Sequence, residues 1–235
     1  MSEDNFDIES LASYLHLPKN QLQKMADRGQ VPGRKIKGGW SFSSSEIHHW
    51  LESRLGATDD DAELATVEDI LNKSAPSDET ISIAALIPTG GIELPLAART
   101  KDSVIRTMTS VAGRTGMLWD SEKMGDALRK REELHPTALD IGVALMHPRR
   151  PMGNIIDDTF IVLGINASGI PFGGGFENLT DIFFLICSKD DRVHLRVLAR
   201  LSRLLTIKDF LDKLRNAKSE KEIRNVIVES ELSIV

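Results

Sequence analysis

The sequence predicts an α/β protein in two unequal parts, a small helical head followed by a layered domain with a central mixed sheet flanked by helices. Three observations carry that reading. Apolar residues recur at helical spacing as far as Leu51, an acidic stretch from Thr58 to Thr80 interrupts them, and strand-like apolar runs then alternate with amphipathic segments. These place a head over residues 1–57, a linker over 58–79 and the larger domain over 80–235.

A chain of 235 residues has the length of two compact units. With 41% apolar and 27% charged residues, and 17 Gly and 9 Pro spread along it, it is neither collagen-like, wholly disordered nor a coiled-coil rod. The longest apolar runs, Ile83 to Ile87 and Ile182 to Cys187, fall far short of the roughly 18 residues of a membrane span. The acidic amino terminus lacks the basic and apolar regions of a signal peptide, so a cytoplasmic protein without membrane insertion is expected. The lone Cys187 can form no internal disulfide, and its Phe-Phe-Leu-Ile-Cys setting reads as a buried strand. No metal site is expected.

Net charge is −6, but it is unevenly distributed. Pro18 to Lys37 holds Lys19, Lys24, Arg28, Arg34, Lys35 and Lys37 against Asp27 alone, whereas Thr58 to Thr80 holds eight carboxylates against Lys73. The head is therefore the basic part of an acidic protein.

In the head, Ile8, Leu11, Ala12 and Leu15 share a helical face that His16-Leu17-Pro18 breaks. A second helix starts near Lys19, turns Leu22 and Met25 inward and stops at Gly29, which suits the left-handed position after a helix. Its outward residues Asn20, Gln21, Gln23 and Lys24 are types that hydrogen-bond base edges and phosphates. Val31 to Phe42 reads as a basic hairpin around Gly38-Gly39. Ser43 with Glu46 forms a capping-box signal for a third helix carrying Ile47, Trp50 and Leu51. The adjacent His48 and His49 cannot share one metal on a helix and read as surface residues.

Arg28-Gly29-Gln30-Val31-Pro32, Gly39-Trp40-Ser41-Phe42 and His49-Trp50-Leu51 resemble the excisionase-like and MerR-like winged helix-turn-helix family over residues 6–55. The resemblance implies that the second helix, with Arg28 at its end, enters a major groove of DNA while Arg34, Lys35 and Lys37 rest on phosphates. A protein-docking module is the alternative.

After the linker, Thr80 to Ile87 and Ile92 to Leu94 read as strands around Pro88-Thr89-Gly90-Gly91. Val104, Ile105, Met108, Val111 and Ala112 define a helix that Gly113 and Gly116 end, and Asp120 caps another through Met124, Leu128 and Glu132. Ile141 to Met146, Phe160 to Ile165 and Asp181 to Ser188 are strand-like, and Val193 to Leu205 is strongly amphipathic. Gly173-Gly174-Gly175 lacks the Lys-Ser/Thr of a phosphate loop and reads as a turn.

His147 ends a buried strand and His194 falls in the first turn of a helix, the places where α/β sites form. A histidine at a strand's carboxyl end can present a neutral ring nitrogen to a donor phosphate, and helix amides at Arg192 to His194 favour the dianion. An arginine fork completes such a site, because phosphoryl transfer is mainly positioning and electrostatic stabilisation. Taken alone, each histidine also fits a purely structural place.

Arg131-Glu132-Glu133-Leu134, Gly142 to His147, Ile170-Pro171-Phe172, Asp181 to Leu185 and His194-Leu195 with Leu198-Ala199 and Leu201 resemble, in that order, the mannitol/fructose-type enzyme IIA domain of the bacterial phosphotransferase system. The resemblance covers about residues 80–216 and implies that His147 carries the phosphoryl group, His194 is the second active-site histidine and Arg131 supports the phosphate. Arg131 stands sixteen positions before His147, the family spacing. Where the family has Pro-His-Gly or Pro-His-Ala, this chain has Met146-His147-Pro148-Arg149-Arg150. Pro148 removes a backbone donor beside the ring, and Arg149 either replaces it on phosphate, meets an acidic partner or is a solvated loop residue.

The two resemblances together imply a regulator whose DNA-binding head follows the phosphorylation state of a phosphohistidine domain. They imply no cofactor beyond phosphate carried covalently on histidine, and a histidine phosphocarrier protein and DNA as partners. The alternative is a phosphoryl carrier in sugar uptake that passes phosphate to an enzyme IIB; a homodimer is compatible with either. A third reading is an interaction protein that has lost transfer chemistry.

Overall fold

The computed structural model describes residues 5–15, 17–36, 38–44, 46–47, 50–51, 81–173 and 179–234. The expected linker, Lys37, His48 and His49, and the glycine run beyond Gly173 lie outside the described residues. The chain divides into two compact units, Met1–Thr80 and Ile81–Val235.

In the first unit a short strand β1 (Asn5–Asp7) leads into α1 (Ile8–Tyr14) and α2 (Lys19–Asp27), followed by β2 (Arg34–Ile36) and β3 (Gly39–Ser43). Asp7 starts α1 by accepting from the amides of Glu9 and Ser10 at 3.0 and 2.7 Å. Pro18, with φ −57°, sits at the start of α2, where its missing N–H costs nothing. Gly29 follows α2 at φ +68°, the left-handed conformation that only glycine adopts cheaply. The sheet order is β1-β3-β2, all antiparallel, so the expected hairpin gains a third strand through Phe6 opposite Phe42. Three residues are too few to show an alternating pattern, which is why β1 was not legible. Leu11, Leu22, Phe42 and Ile47 form the fully buried centre. Residues 44, 46–47 and 50–51 are helical, as expected for the third helix.

The second unit starts with a correction. Thr80 to Ile87 was expected as a strand, yet Ile83–Leu86 form a short helix, α3. Ser82 caps it by accepting from the Ala85 amide at 3.2 Å, and the buried carboxylate of Glu231 accepts from the amides of Ile83 and Ala84. A run of Ile and Ala is apolar in either conformation; partners from the far end of the chain decide it.

The remaining elements are β4 (Ile92–Glu93), α4 (Lys101–Arg114), α5 (Ser121–Leu134), β5 (Val143–Met146), β6 (Phe160–Ile170), β7 (Thr180–Cys187), α6 (Asp191–Thr206), α7 (Phe210–Asn216) and α8 (Glu220–Ser233). Helix α4 runs through Gly113, and Gly116 at φ +79° follows its end. Sequence periodicity did not reveal α7 and α8, because the buried face of α8 mixes Ser230 and Glu231 with Ile223 and Ile227.

The sheet order is β4-β6-β7-β5, with β4 parallel to β6, β5 parallel to β7, and β6 antiparallel to β7. This is the mixed sheet the sequence predicts. Successive strand residues face opposite sides. Ala144, Met146, Val162, Phe183 and Leu185 join the core under α4 and α5. The alternate residues Val143, Leu145, Ile161, Phe184 and Ile186 are equally buried on the other face, where α6 packs on β7. Burying each such large apolar side chain contributes about 1.5–3 kcal/mol, so both faces are committed to the core and only strand ends remain for chemistry.

Candidate functional site

His147 is the residue immediately after β5, and its parity is that of Val143 and Leu145. It therefore faces the α6 side of the sheet. Ser188 follows β7 with the parity of Phe184 and Ile186, so it faces the same way, and His194 sits in the first turn of α6 above them. Two parallel strands thus end side by side and present their next residues to one helix start. The His147 and His194 ring centroids are 4.8 Å apart at an interplanar angle of 53°.

His147 Nδ1 lies 2.7 Å from the carbonyl oxygen of Leu145. A carbonyl can only accept, so Nδ1 carries a proton, and in the neutral ring the lone pair is then on Nε2. His194 Nδ1 lies 3.4 Å from Ser188 Oγ, a loose contact at the edge of hydrogen-bonding range. The rings are 4% and 5% exposed, which limits water access to any group bonded there.

Arg131 is in the last turn of α5, buried, with Nη1 donating to the His135 carbonyl at 2.6 Å. The strip after α5 pairs with the edge of β5: Leu139 N donates to Val143 O at 2.7 Å, Ala138 bridges Ala144, and Leu145 N donates to Thr137 O at 3.1 Å. The pairing runs as far as Thr137 and Leu145, two residues short of His135 on the strip and two short of His147 on the strand. Arg131 thus holds the backbone at the start of the strip that borders β5. His135, which carried no signal in the sequence, matters through its carbonyl.

The expectation that the amides of residues 192–194 favour a phosphate dianion is corrected for two of them. Val193 N donates to Asp190 Oδ1 at 2.9 Å and His194 N to Asp190 O at 3.1 Å. The helix start is capped by an acidic residue, which takes up the Val193 amide. Arg149 and Arg150 are exposed, whereas Pro148 is buried. The loop is pinned at Gly153, where a Cβ would come within 2.7 Å of the Lys189 carbonyl oxygen. Cys187 is fully buried, and burial pushes its thiol far above the ordinary range, which removes it as a nucleophile. Among the described residues no group of three or more His, Cys, Asp or Glu is placed to hold a metal ion.

Sequence reasoning missed Glu132 and Thr137 as a pair. Glu132 is 4% exposed, and its carboxylate accepts from both the amide and the hydroxyl of Thr137, with Lys101 Nζ 3.9 Å away. Burial raises its pKa above the usual carboxylate value, with the Thr137 bonds and Lys101 opposing. An acidic residue followed five positions later by threonine across a helix end is too common a pattern to single out.

The family model of the phosphoenolpyruvate-dependent sugar phosphotransferase system, EIIA 2, matches residues 85–230, more than half of the chain. The chain belongs to that EIIA family. Over 153 residues its EIIA domain is 25% identical to the fructose-specific EIIA component of Haloferax volcanii, covering 64% of this chain and 97% of that protein. It is 26% identical over 149 residues to the fructose-specific EIIABC component of Bacillus subtilis, covering 63% of this chain but only 23% of that longer protein. The structure of IIA mannitol from Escherichia coli superposes with a TM-score of 0.54 at 22% identity, covering 59% of this chain and 96% of that one, and shares the fold.

A helix-turn-helix family model matches residues 6–55, ahead of the EIIA domain. Asn20, Gln21, Gln23, Lys24 and Arg28 are all exposed along α2 and its end. Arg34, on β2, pairs with Glu46 at 2.9 Å, and Lys35 pairs with Asp27 at 3.3 Å while lying 5.1 Å from the Trp40 ring centre. Exposed pairs of this kind contribute about 0–1 kcal/mol, so a phosphate can displace the carboxylate at little cost. An EIIA domain and a helix-turn-helix domain in one chain support a regulatory or phosphotransferase-system role. Among the described residues, no helix is long and apolar enough to cross a membrane.

Proposed function

We propose that the protein is a regulator in which phosphorylation of His147 by a histidine phosphocarrier protein controls DNA binding by the helix-turn-helix domain. The observation that carries the acceptor assignment is the Nδ1 contact to the Leu145 carbonyl, because it makes Nε2 the nucleophile. The Nε2 lone pair attacks phosphorus as the donor's P–N bond breaks, and the bonding electrons return to the donor nitrogen. The Nδ1 proton stays on the ring, and the Leu145 carbonyl stabilises the positive charge that develops there. His194 offers a ring N–H to the moving phosphoryl oxygens, Arg131 its guanidinium, and Arg149 sits on the exposed loop that meets donor or phosphate. Phosphate is carried covalently, and no cofactor takes part.

Similarity to two fructose-specific phosphotransferase proteins favours a second reading, a carrier that passes phosphate on to an enzyme IIB. One experiment separates the readings. The full chain, incubated with phosphoenolpyruvate and the general phosphotransferase proteins, is expected to gain an acid-labile phosphoryl group that His147→Ala lacks. The phosphorylated and unphosphorylated chains are then titrated with duplex DNA. Label that persists in His147→Ala overturns the acceptor assignment, and equal DNA affinities overturn the regulatory role in favour of the carrier.

A further inference from the structure

The eight-residue strip between α5 and β5, residues 135–142, does two jobs at once. It covers the exposed edge of β5 through Thr137, Ala138 and Leu139, and it offers the His135 carbonyl that Arg131 holds. That carbonyl is one of the contacts that set where the guanidinium sits. The strip leaves α5 through Pro136, which has no N–H to anchor it. Its anchor is Thr137, whose backbone amide and side-chain hydroxyl both donate to Glu132, one residue after Arg131 on α5.

We infer that Glu132 is a positioning residue for phosphoryl transfer: through Thr137 it fixes the strip and so aims Arg131 at the His147 site. The inference rests on the acceptor assignment above and extends it to a residue outside the reacting groups. A carboxylate that only stabilised the fold would gain little from burial here. Desolvating it is expensive, Lys101 is 3.9 Å away at the rim, and burial raises its pKa. An apolar residue of similar size would fill the space without that penalty. What such a residue cannot do is bind the amide and hydroxyl of one threonine together, which restrains the strip in two directions. The fixed strip then orders a long, rotamer-rich arginine before the donor arrives, and pre-organised charge stabilisation of this kind costs nothing at the moment of reaction.

Glu132 touches no reacting atom in this account, so its removal must act through Arg131. Replacing supporting residues typically costs about 10- to 100-fold, and Glu132→Gln and Thr137→Val are each expected to slow phosphoryl transfer to His147 by about tenfold at saturating donor. The donor concentration for half-maximal rate should stay unchanged. Thr137→Ser, which keeps both donors, should retain the wild-type rate. In an Arg131→Ala background, Glu132→Gln should slow transfer no further. Full additivity of the two substitutions, or a wild-type rate in Glu132→Gln, would overturn the inference. Absence of label from wild type, or label surviving His147→Ala, would instead overturn the acceptor assignment, so the two failures are distinguishable. Circular dichroism melting of each variant identifies any loss caused by unfolding, and Thr137→Val carries the test if Glu132→Gln does not fold, a wild-type rate in it overturning the inference.

Discussion

The ring of His194 stands 4.8 Å, centre to centre, from the ring of His147, although one opens a helix and the other ends a strand. Parallel pairing of β5 with β7 creates that meeting, because both strands finish at the same end of the sheet and α6 begins directly beyond β7. The geometry assigns different parts to the two rings. His147 Nδ1 is held by the Leu145 carbonyl at 2.7 Å, whereas His194 Nδ1 meets Ser188 Oγ at 3.4 Å.

The different parts should fail differently. His194→Ala and Arg131→Ala keep the acceptor ring, so both are expected to become labelled, but about 10²- to 10³-fold more slowly, the usual effect of removing one charge-stabilising donor. Quenched-flow measurement of label against time checks this. A fast His194→Ala would remove that ring from the transfer step.

The loop after His147 should be intolerant of one methyl group. A Cβ on residue 153 would lie 2.7 Å from the Lys189 carbonyl oxygen, and backbone on both sides must move. Gly153→Ala is expected to cost about 1–3 kcal/mol by urea unfolding and to slow transfer as the loop lifts from the turn before α6. Unchanged stability would mean that the contact relaxes freely.

Glu132 should leave a pH signature in stability. Its pKa is raised in the folded protein, chiefly by burial, so the folded state binds this proton more tightly than the unfolded chain does. The resulting stability is present below the unfolded value of about 4.3 and is lost as pH rises through the folded value. Glu132→Gln is therefore expected to gain stability relative to wild type on going from about pH 4 to about pH 7, as measured by urea unfolding at each pH. Asp102, whose pKa the Arg129 hydrogen bond lowers, contributes the opposite trend equally to both proteins and cancels in the difference.

For the head, salt dependence distinguishes phosphate contacts from base contacts. With the full chain, Arg34→Ala and Lys35→Ala are each expected to make the log–log salt slope of duplex binding shallower by about 0.9. Asn20→Ala and Gln23→Ala should leave the slope alone and relax sequence preference. No binding at low salt would identify the head as a protein-docking module.

Much of this architecture was legible because its signals are local. Asp120 before α5, Asp190 before α6, Gly29 after α2 and the apolar runs of β5 to β7 all act within a few residues. What escaped depends on distant partners. Ile83–Leu86 become helical against Glu231, β1 exists only by pairing with β3, and α8 buries polar groups that blur its periodicity. At the site, a strand end and a helix start drew attention to His147 and His194, but on those positions alone each also fits a structural place. Their roles came from the resemblance to the enzyme IIA family. The Glu132–Thr137 link and the acidic cap of α6 drew no such attention, because each depends on where a side chain turns after the backbone is built.

The nitrogen that bears phosphate tests the account most directly. Long-range proton–nitrogen NMR of the full chain, labelled with nitrogen-15 and phosphorylated by the general phosphotransferase proteins, separates Nδ1 from Nε2 in each histidine. Phosphorus is expected on Nε2 of His147, with the Nδ1 proton retained against Leu145. Phosphorus on Nδ1 of His147, or on either nitrogen of His194, would contradict it.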